Sequence, residues 1–336
     1  MALALSGLCV TSAHASLLLN TAIQGAALSV DGIGVVGAGS GQLQVDVGAL
    51  NSTVAKAYLY TSDIWGSGVS SVIFGGTQFN TGSGTLLSPN ANPANTYRYD
   101  VTSIVSSVVN GNSGLFNFSF SELGDNDGAV LAVAYQNANT VGGSAIIMDG
   151  ELSPTGDSTL LNFSSPYASG NAIMSLASSF SYNGNGITNL TGQATIINII
   201  TSGALSPRRL TSCAGGNDDG NFIAADGALM TVGGVGDSAA NPDPNCGGGA
   251  GDDELYDLSQ GNSSNAAPFL AAGDTFVQFD TRNPTNDDNV FALFFSSKFE
   301  VSNVNGNPIS TVPEPASMAL LALGLAGFGA ARRRKA

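Results

Sequence analysis

Apolar residues along this chain recur mainly at a period of two, in short runs separated by Gly, Asn, Asp and Ser. The clearest run is 115–121, where Phe116, Phe118 and Phe120 alternate with polar residues. The run 55–60 alternates in the same way. Successive side chains of a strand point to opposite faces, so both runs are predicted to be strands with an apolar face.

Other runs are continuously apolar, notably 129–135 and 290–295. Such runs are typical of central strands that are covered on both sides. The runs 173–180 and 195–200 also predict strands. Many short strands with frequent turn residues indicate an all-β fold, built from one or two β-sandwich or jelly-roll units.

One segment has a helical period instead. Its apolar residues recur at i, i+3, i+4, i+7 and i+8, namely Val101, Ile104, Val105, Val108 and Val109. Asp100 precedes them as a candidate N-cap, and Asn110 and Gly111 follow as a stop signal. The spacing therefore predicts one short helix.

The two halves of the chain share a pattern, in which an aromatic strand leads to an acidic turn and then to a buried strand. This similarity indicates two related units, which we assign to residues 16–155 and 156–310. A loop-rich stretch at about 203–253 would be an insertion into the second unit. One continuous large sandwich is the alternative, because the spacings in the two halves differ.

The first 15 residues have the features of a secretory signal peptide. An apolar core at 2–10 is followed by Ala13 and Ala15, which form an A-x-A cleavage site before Ser16. No Lys or Arg precedes the core, which departs from the usual pattern. We expect export through the Sec translocon and removal of residues 1–15.

Three short parts follow one another at the C-terminus. They are the tripeptide Pro313, Glu314 and Pro315, an uncharged apolar span at 318–331, and the basic residues Arg332, Arg333, Arg334 and Lys335. A stable transmembrane helix usually needs about 20 residues, so this span predicts a marginal hydrophobic helix suited to transient anchoring. The basic residues are expected to stay on the cytoplasmic side.

This order of parts resembles the C-terminal sorting signal of PEP-CTERM proteins over residues 312–335. The resemblance implies that residues 311–336 are the sorting signal, that exosortase, a membrane transpeptidase-like enzyme, recognises Pro313, Glu314 and Pro315, and that cleavage occurs near these residues. It also implies delivery to the cell surface or extracellular matrix and an association with exopolysaccharide and biofilm. An ordinary C-terminal anchor helix is the alternative.

Charge narrows the range of partners. Only 10% of the residues are charged, and the formal net charge is −15. This excess of carboxylates repels nucleic acid, so no nucleic-acid partner is expected. It favours solubility outside the cell and divalent cations.

Several acidic turns supply the oxygen ligands that calcium prefers. Their carboxylates are Asp125, Asp127, Asp218, Asp219, Asp287 and Asp288. Calcium is therefore the one cofactor considered for this chain. Plain turn chemistry is the alternative, because Asp and Asn are also favoured turn residues and no turn completes an EF-hand loop.

Histidine is absent after the signal peptide, since the one histidine is His14. The mature chain therefore lacks the base of a Ser-His-Asp or Cys-His system and the ligand of a His-bound zinc site. We expect a non-enzymatic protein with no catalytic residues. The alternative is an extracellular glycosidase or polysaccharide lyase that uses carboxylates.

Three further residues are candidate features. Cys213 and Cys246 are an even pair in an oxidising compartment, which predicts a disulfide, with two free thiols as the alternative. Trp65 follows a predicted strand and is a candidate for stacking on a sugar ring, with core packing as the alternative.

Overall fold

The structure is a computed structural model that describes residues 17–34, 39–64, 68–87, 94–152, 155–179, 195–214, 230–241, 244, 254–282 and 289–309. These residues form strands almost throughout. In chain order the strands are β1 (Leu17–Gln24), β2 (Ala27–Gly34), β3 (Ser40–Asp46), β4 (Thr53–Ile64), β5 (Val72–Phe74), β6 (Thr77–Phe79), β7 (Thr85–Leu86), β8 (Ala94–Asp100), β9 (Leu115–Glu122), β10 (Gly128–Gln136), β11 (Ser144–Gly150), β12 (Asp157–Phe163), β13 (Ala172–Ser179), β14 (Thr195–Thr201), β15 (Ala204–Ala214), β16 (Met230–Val232), β17 (Leu255–Asp257), β18 (Phe276–Arg282), β19 (Asn289–Ser297), β20 (Val301–Val304) and β21 (Asn307–Pro308). The helix α1 (Thr102–Val109) and a 3₁₀ turn, Thr81–Ser83, complete the described elements.

The strands form four antiparallel sheets. Outer sheet 1 has the order β3-β9-β5-β6, and inner sheet 1 has the order β2-β10-β4-β8-β7. Inner sheet 2 has the order β1-β11-β19-β13-β16, with β17 also on β13. Outer sheet 2 has the order β15-β14-β18-β12-β20-β21. The all-β prediction is therefore confirmed.

Four clusters of buried side chains among the described residues hold these sheets together as layers, and the smallest joins β1 and β11 to β10. Core 1 joins outer sheet 1, inner sheet 1 and α1. Core 2 joins inner sheet 2 to outer sheet 2. A third cluster, here called the seam, joins the two inner sheets face to face. The inner sheets are thus covered on both sides and the outer sheets on one.

This layering explains the two sequence patterns. The runs predicted as central strands form β10 and β19 in the inner sheets, and the covered position of both is confirmed. In β9, Phe118 and Phe120 are buried in core 1 while Asn117 and Ser119 are exposed, as the alternation predicts. A continuous apolar run and an alternating one therefore distinguish inner from outer sheets.

The predicted helix is present as α1. Val105 and Val109 are buried in core 1, which fits the predicted apolar face. Asp100 stands one residue before the N-cap position, which Val101 occupies, and its Oδ1 accepts a hydrogen bond of 3.0 Å from the backbone N–H of Thr102. Gly111 follows the helix with a φ of +78°, a left-handed conformation that glycine adopts without steric cost.

The predicted boundary between residues 155 and 156 does not coincide with the division of strands between sheets. β1 and β11 precede it in the chain, yet they extend inner sheet 2 alongside β19. The first part of the predicted loop-rich stretch is the strand β15, which pairs with β14. The assignment of two domains stays a prediction.

No helix within the described ranges is long and apolar enough to cross a membrane. The predicted hydrophobic helix at 318–331 lies outside those ranges.

Candidate functional site

Most residues singled out from the sequence lie outside the described part of the chain. They are Ala13, Ala15, Ser16, Trp65, Asp218, Asp219, Cys246, Asp287, Asp288, Pro313, Glu314, Pro315, Arg332, Arg333 and Arg334. The backbone of Cys213 belongs to β15, but its side chain is outside the description. The disulfide, the sugar-stacking role and these calcium ligands stay predictions.

Asp125 and Asp127 are the two candidate calcium ligands that the structure describes. They flank Asn126, whose side-chain Oδ1 accepts a 2.8 Å bond from the Ser70 backbone N–H and whose Nδ2 donates to the Ser70 carbonyl at 3.2 Å. Asp127 is buried and Asp125 is exposed. Among the described residues, no group of three or more His, Cys, Asp or Glu is arranged to hold a metal ion. Calcium stays a prediction at this turn.

A buried carboxylate that was not predicted lies beside this turn. Glu122 ends β9 on the same face as Phe118 and Phe120, so the period of two that predicts the strand also places Glu122 inward. Its Oε2 accepts a 3.1 Å bond from the Gly39 N–H, and its buried Oε1 has no hydrogen-bond partner. Burial raises the pKa of Glu122 to about 8, and the neighbouring carboxylates of Asp127 and Asp125 add to the shift.

A second buried carboxylate, Asp31 on β2, lies beside β3. Asp31 Oδ2 accepts a 2.5 Å bond from the Gln44 N–H, and Ser29 Oγ accepts a 2.9 Å bond from the Asp46 N–H. Side chains of β2 thus bind the outward N–H groups of β3, which is an edge strand of outer sheet 1. Burial raises the pKa of Asp31 to about 7, with a smaller contribution from Asp237.

The seam contains a charged cluster centred on Asp149. Arg98 Nη1 lies 2.8 and 2.7 Å from the two carboxylate oxygens of Asp149. The Tyr60 hydroxyl and the Asn20 amide donate to Oδ2 at 2.9 and 2.8 Å. Burial raises the pKa of Asp149, and the Arg98 charge and the Tyr60 hydrogen bond oppose the shift. The cluster links β1 and β11 of inner sheet 2 to β4 and β8 of inner sheet 1.

A cavity of about 240 Å³ opens where the β2 edge of inner sheet 1 meets the face of inner sheet 2. Leu28, Ile173, Leu255 and Phe294 provide apolar walls. Ser29, Ser175, Ser296 and Asp46 provide polar groups. The sequence gives little sign of this cavity, because its walls come from strands separated by more than a hundred residues.

The described polar contacts of these three carboxylates are made to other groups of the protein. Asp31 and Glu122 each accept a backbone N–H, and Asp149 is neutralised by Arg98. Among the described residues lining the cavity, Asp46 is the one carboxylate. A glycosidase needs two carboxyl groups that flank one bond, and this cavity does not provide that pair from its described lining.

Comparisons with known proteins support the interpretation of the tail. The family model of the PEP-CTERM protein-sorting motif matches residues 311–335, which confirms the resemblance seen in the sequence. The tail thus implies an exported protein that transits the membrane and is sorted to the cell surface. No curated protein matches the chain.

Among solved structures, "Crystal Structure of the STIV MCP" aligns over 80% of this chain and 96% of that one, with 10% identity and a TM-score of 0.22. A TM-score this low carries no argument about fold or function.

Proposed function

We propose that this protein is a non-enzymatic component of the cell surface or extracellular matrix, delivered by exosortase and associated with exopolysaccharide and biofilm. The observation that carries the proposal is the sorting motif at 311–335. Entry through the Sec translocon and loss of residues 1–15 complete the proposed route. In this route the hydrophobic span at 318–331 is a transient membrane anchor.

The position of Ile309 supports a sorting tail that follows core 2 in the chain. Ile309, the last described residue, is buried in core 2, and its N–H donates to the Ser302 carbonyl at 3.0 Å. Three residues separate Ile309 from Pro313. Each sheet pair that encloses a core is interpreted as one β-sandwich unit, and the described core residues lie before residue 310 in the chain.

The structural use of the buried carboxylates supports a non-enzymatic role. A carboxylate-dependent glycosidase or lyase is the second candidate, because Asp31 and Glu122 have pKa values raised to about 7 and 8 and could hold a proton at neutral pH. Turnover of polysaccharides that disappears in the Asp31→Asn or Glu122→Gln variant would favour this second candidate.

Calcium binding and a Cys213–Cys246 disulfide remain proposals. Calcium bound to the folded state would raise the melting temperature, and EDTA would reverse the rise. An unchanged melting temperature would contradict calcium binding. A disulfide would protect both cysteines from alkylation before reduction, whereas two alkylated thiols would contradict it.

The sorting proposal is tested by replacing Pro313, Glu314 and Pro315 with Ala in the native host. We expect the unchanged protein to reach the surface with a mass that lacks both terminal segments. The variant should remain in the inner membrane with its tail intact. Pro308→Ala, an exposed position outside the matched motif, is the control and should be processed normally. An intact tail in every form would contradict the proposal.

A further inference from the structure

We infer that the cavity between β2 and inner sheet 2 binds one unit of a neutral, polyhydroxylated ring compound, the chemistry of a single neutral sugar residue. This inference deepens the proposed association with exopolysaccharide and rests on it only for the source of the ligand. The binding chemistry itself is argued from the hydrogen-bonding groups, the charge and the size of the cavity.

The edge of β2 presents backbone groups to this cavity. The Val30 carbonyl accepts a 2.9 Å bond from the Val235 N–H, and the Leu28 N–H donates to Ser296 Oγ at 3.2 Å. Both bonds therefore leave β2 on the side away from β10. In an antiparallel sheet the N–H and C=O of one residue point the same way. The Val30 N–H and the Leu28 carbonyl thus also point outward, and the hydrogen bonds of the described residues assign neither of them a partner.

The cavity is closed to an extended chain at the point where Val235 binds Val30. A peptide that paired along β2 would need the Val30 carbonyl, which the Val235 N–H already occupies. A compact ring needs only a neighbouring donor and acceptor, and adjacent hydroxyls of a sugar can donate to the Leu28 carbonyl and accept from the Val30 N–H. The edge therefore favours a polyol ring over a peptide strand.

Three serine hydroxyls add hydrogen-bonding capacity around this edge. Ser296 Oγ and Ser29 Oγ each accept a backbone N–H, so their own hydrogens remain to be donated. Ser175 Oγ donates to the Gly233 carbonyl at 2.6 Å and keeps capacity to accept. Both donors and acceptors thus surround the apolar walls, which match the C–H face of a sugar ring.

The charge and the volume of the cavity further limit which ligands it can bind. The described lining contains the carboxylate of Asp46 and no Lys or Arg, and the neighbouring turn contains Asp237, whose Oδ2 accepts the Gly234 N–H at 2.6 Å. An anionic sugar would be repelled by these carboxylates. A volume of about 240 Å³ lies below the usual range for drug-sized ligands, so one ring fits and a longer oligosaccharide would extend outside.

The inference is tested by NMR titration of the purified, isotope-labelled protein with methyl glucoside, N-acetylglucosamine and glucuronate. We expect neutral sugars to shift the Val30 amide and the Ile173 and Leu255 methyl signals, with glucuronate about tenfold weaker because of charge repulsion. Ile173→Phe should fill the cavity and abolish the shifts. Leu205→Phe, at an exposed position on β15, is the matched control.

Absence of shifts with every neutral sugar, or equal binding of glucuronate, would overturn the inference. Shifts caused only by an unrelated extended peptide would overturn it in favour of strand addition. The titration of the unmodified protein remains a test of the inference even if the Ile173→Phe variant fails to fold. Because the measurement uses purified protein, its outcome is independent of whether exosortase processes the tail.

Discussion

Inner sheet 1 has two buried faces that differ in chemistry. On β4, Ala57 and Leu59 face core 1, whereas Tyr58 and Tyr60 face the seam. The core face packs mainly against Val, Leu and Phe side chains. The seam face combines aromatic contacts, such as Tyr60 with Phe291 at a ring separation of 5.6 Å, with the charged cluster around Asp149.

The difference indicates that the two faces stabilise the structure in different ways. An apolar core stabilises by removing apolar surface from water, an effect that has no preferred direction. A buried ion pair stabilises less but is strongly directional. The Arg98–Asp149 pair joins β8 of inner sheet 1 to β11 of inner sheet 2, so we expect it to favour one alignment of the two sheets.

The largest expected effect is on the core face. Leu131→Ala should lower the free energy of unfolding by about 4 kcal/mol, because Leu131 is fully buried in core 1 and the change leaves a cavity. Val133→Ala in core 1 and Val130→Ala in the seam make the same change on the two faces of the same strand, and both side chains are fully buried. Urea unfolding measures all three variants. Equal losses for Val133→Ala and Val130→Ala would show that the faces do not differ in packing.

Breaking the seam cluster should have the next largest effect. Arg98→Met leaves the Asp149 carboxylate buried without its cation, which should cost roughly 3 kcal/mol, at the lower end for a buried pair because Arg98 is 20% exposed. Adding Asp149→Asn should recover much of the loss, because the amide oxygen still accepts the Tyr60 hydroxyl. A double variant as unstable as the single one would contradict this account.

The buried carboxyl groups of Asp31 and Glu122 predict that the stability of the folded state depends on pH. Asp31 and Glu122 keep their protons in the folded protein up to pH about 7 and 8, whereas in the unfolded chain they ionise near pH 4. Between these pH values the folded state binds more protons than the unfolded state does. The free energy of unfolding should therefore fall as the pH rises from about 4 to 8.

Asp31→Asn keeps an acceptor for the Gln44 N–H and removes the charge. Relative to the unchanged protein, it should gain on the order of 2 kcal/mol at pH 9 and about nothing at pH 4. Denaturant unfolding at both pH values measures the difference. Asp46→Asn is the control, because it makes the same chemical change at an exposed position of β3. A gain for Asp31→Asn that is the same at pH 4 and pH 9 would refute the assignment.

The smallest effect is expected at a second ion pair, which joins β4 to β8 within inner sheet 1. Lys56 Nζ lies 2.6 Å from Asp100 Oδ2, but the side chains are 30% and 53% exposed. Lys56→Met should therefore change stability by less than about 1 kcal/mol, and the change should vanish in high salt. A loss as large as that of Arg98→Met would show that burial does not distinguish the two pairs.

Some elements of the fold could be predicted from the sequence and others could not. The central position of β10 and β19, the exposed face of β9 and the helix α1 were predictable, because each depends on the local order of apolar and polar residues. Glu122 was predictable in principle from the alternation of β9, although it was not singled out. Asp31, Asp149 and the cavity were not predictable, because their partners lie far away in the chain.

By itself, the sequence determined that the chain is all-β, which strands are covered on both sides, and that its tail carries a sorting motif. These properties depend on the local periodicity of apolar residues and on short contiguous motifs. Only the tertiary structure decided that β1 and β11 join β19, that two sheet pairs meet at a seam, and that a cavity opens beside β2. The physical reason is that strand pairing and sheet packing depend on contacts between distant segments, and a period of two indicates which face is apolar without indicating what covers it.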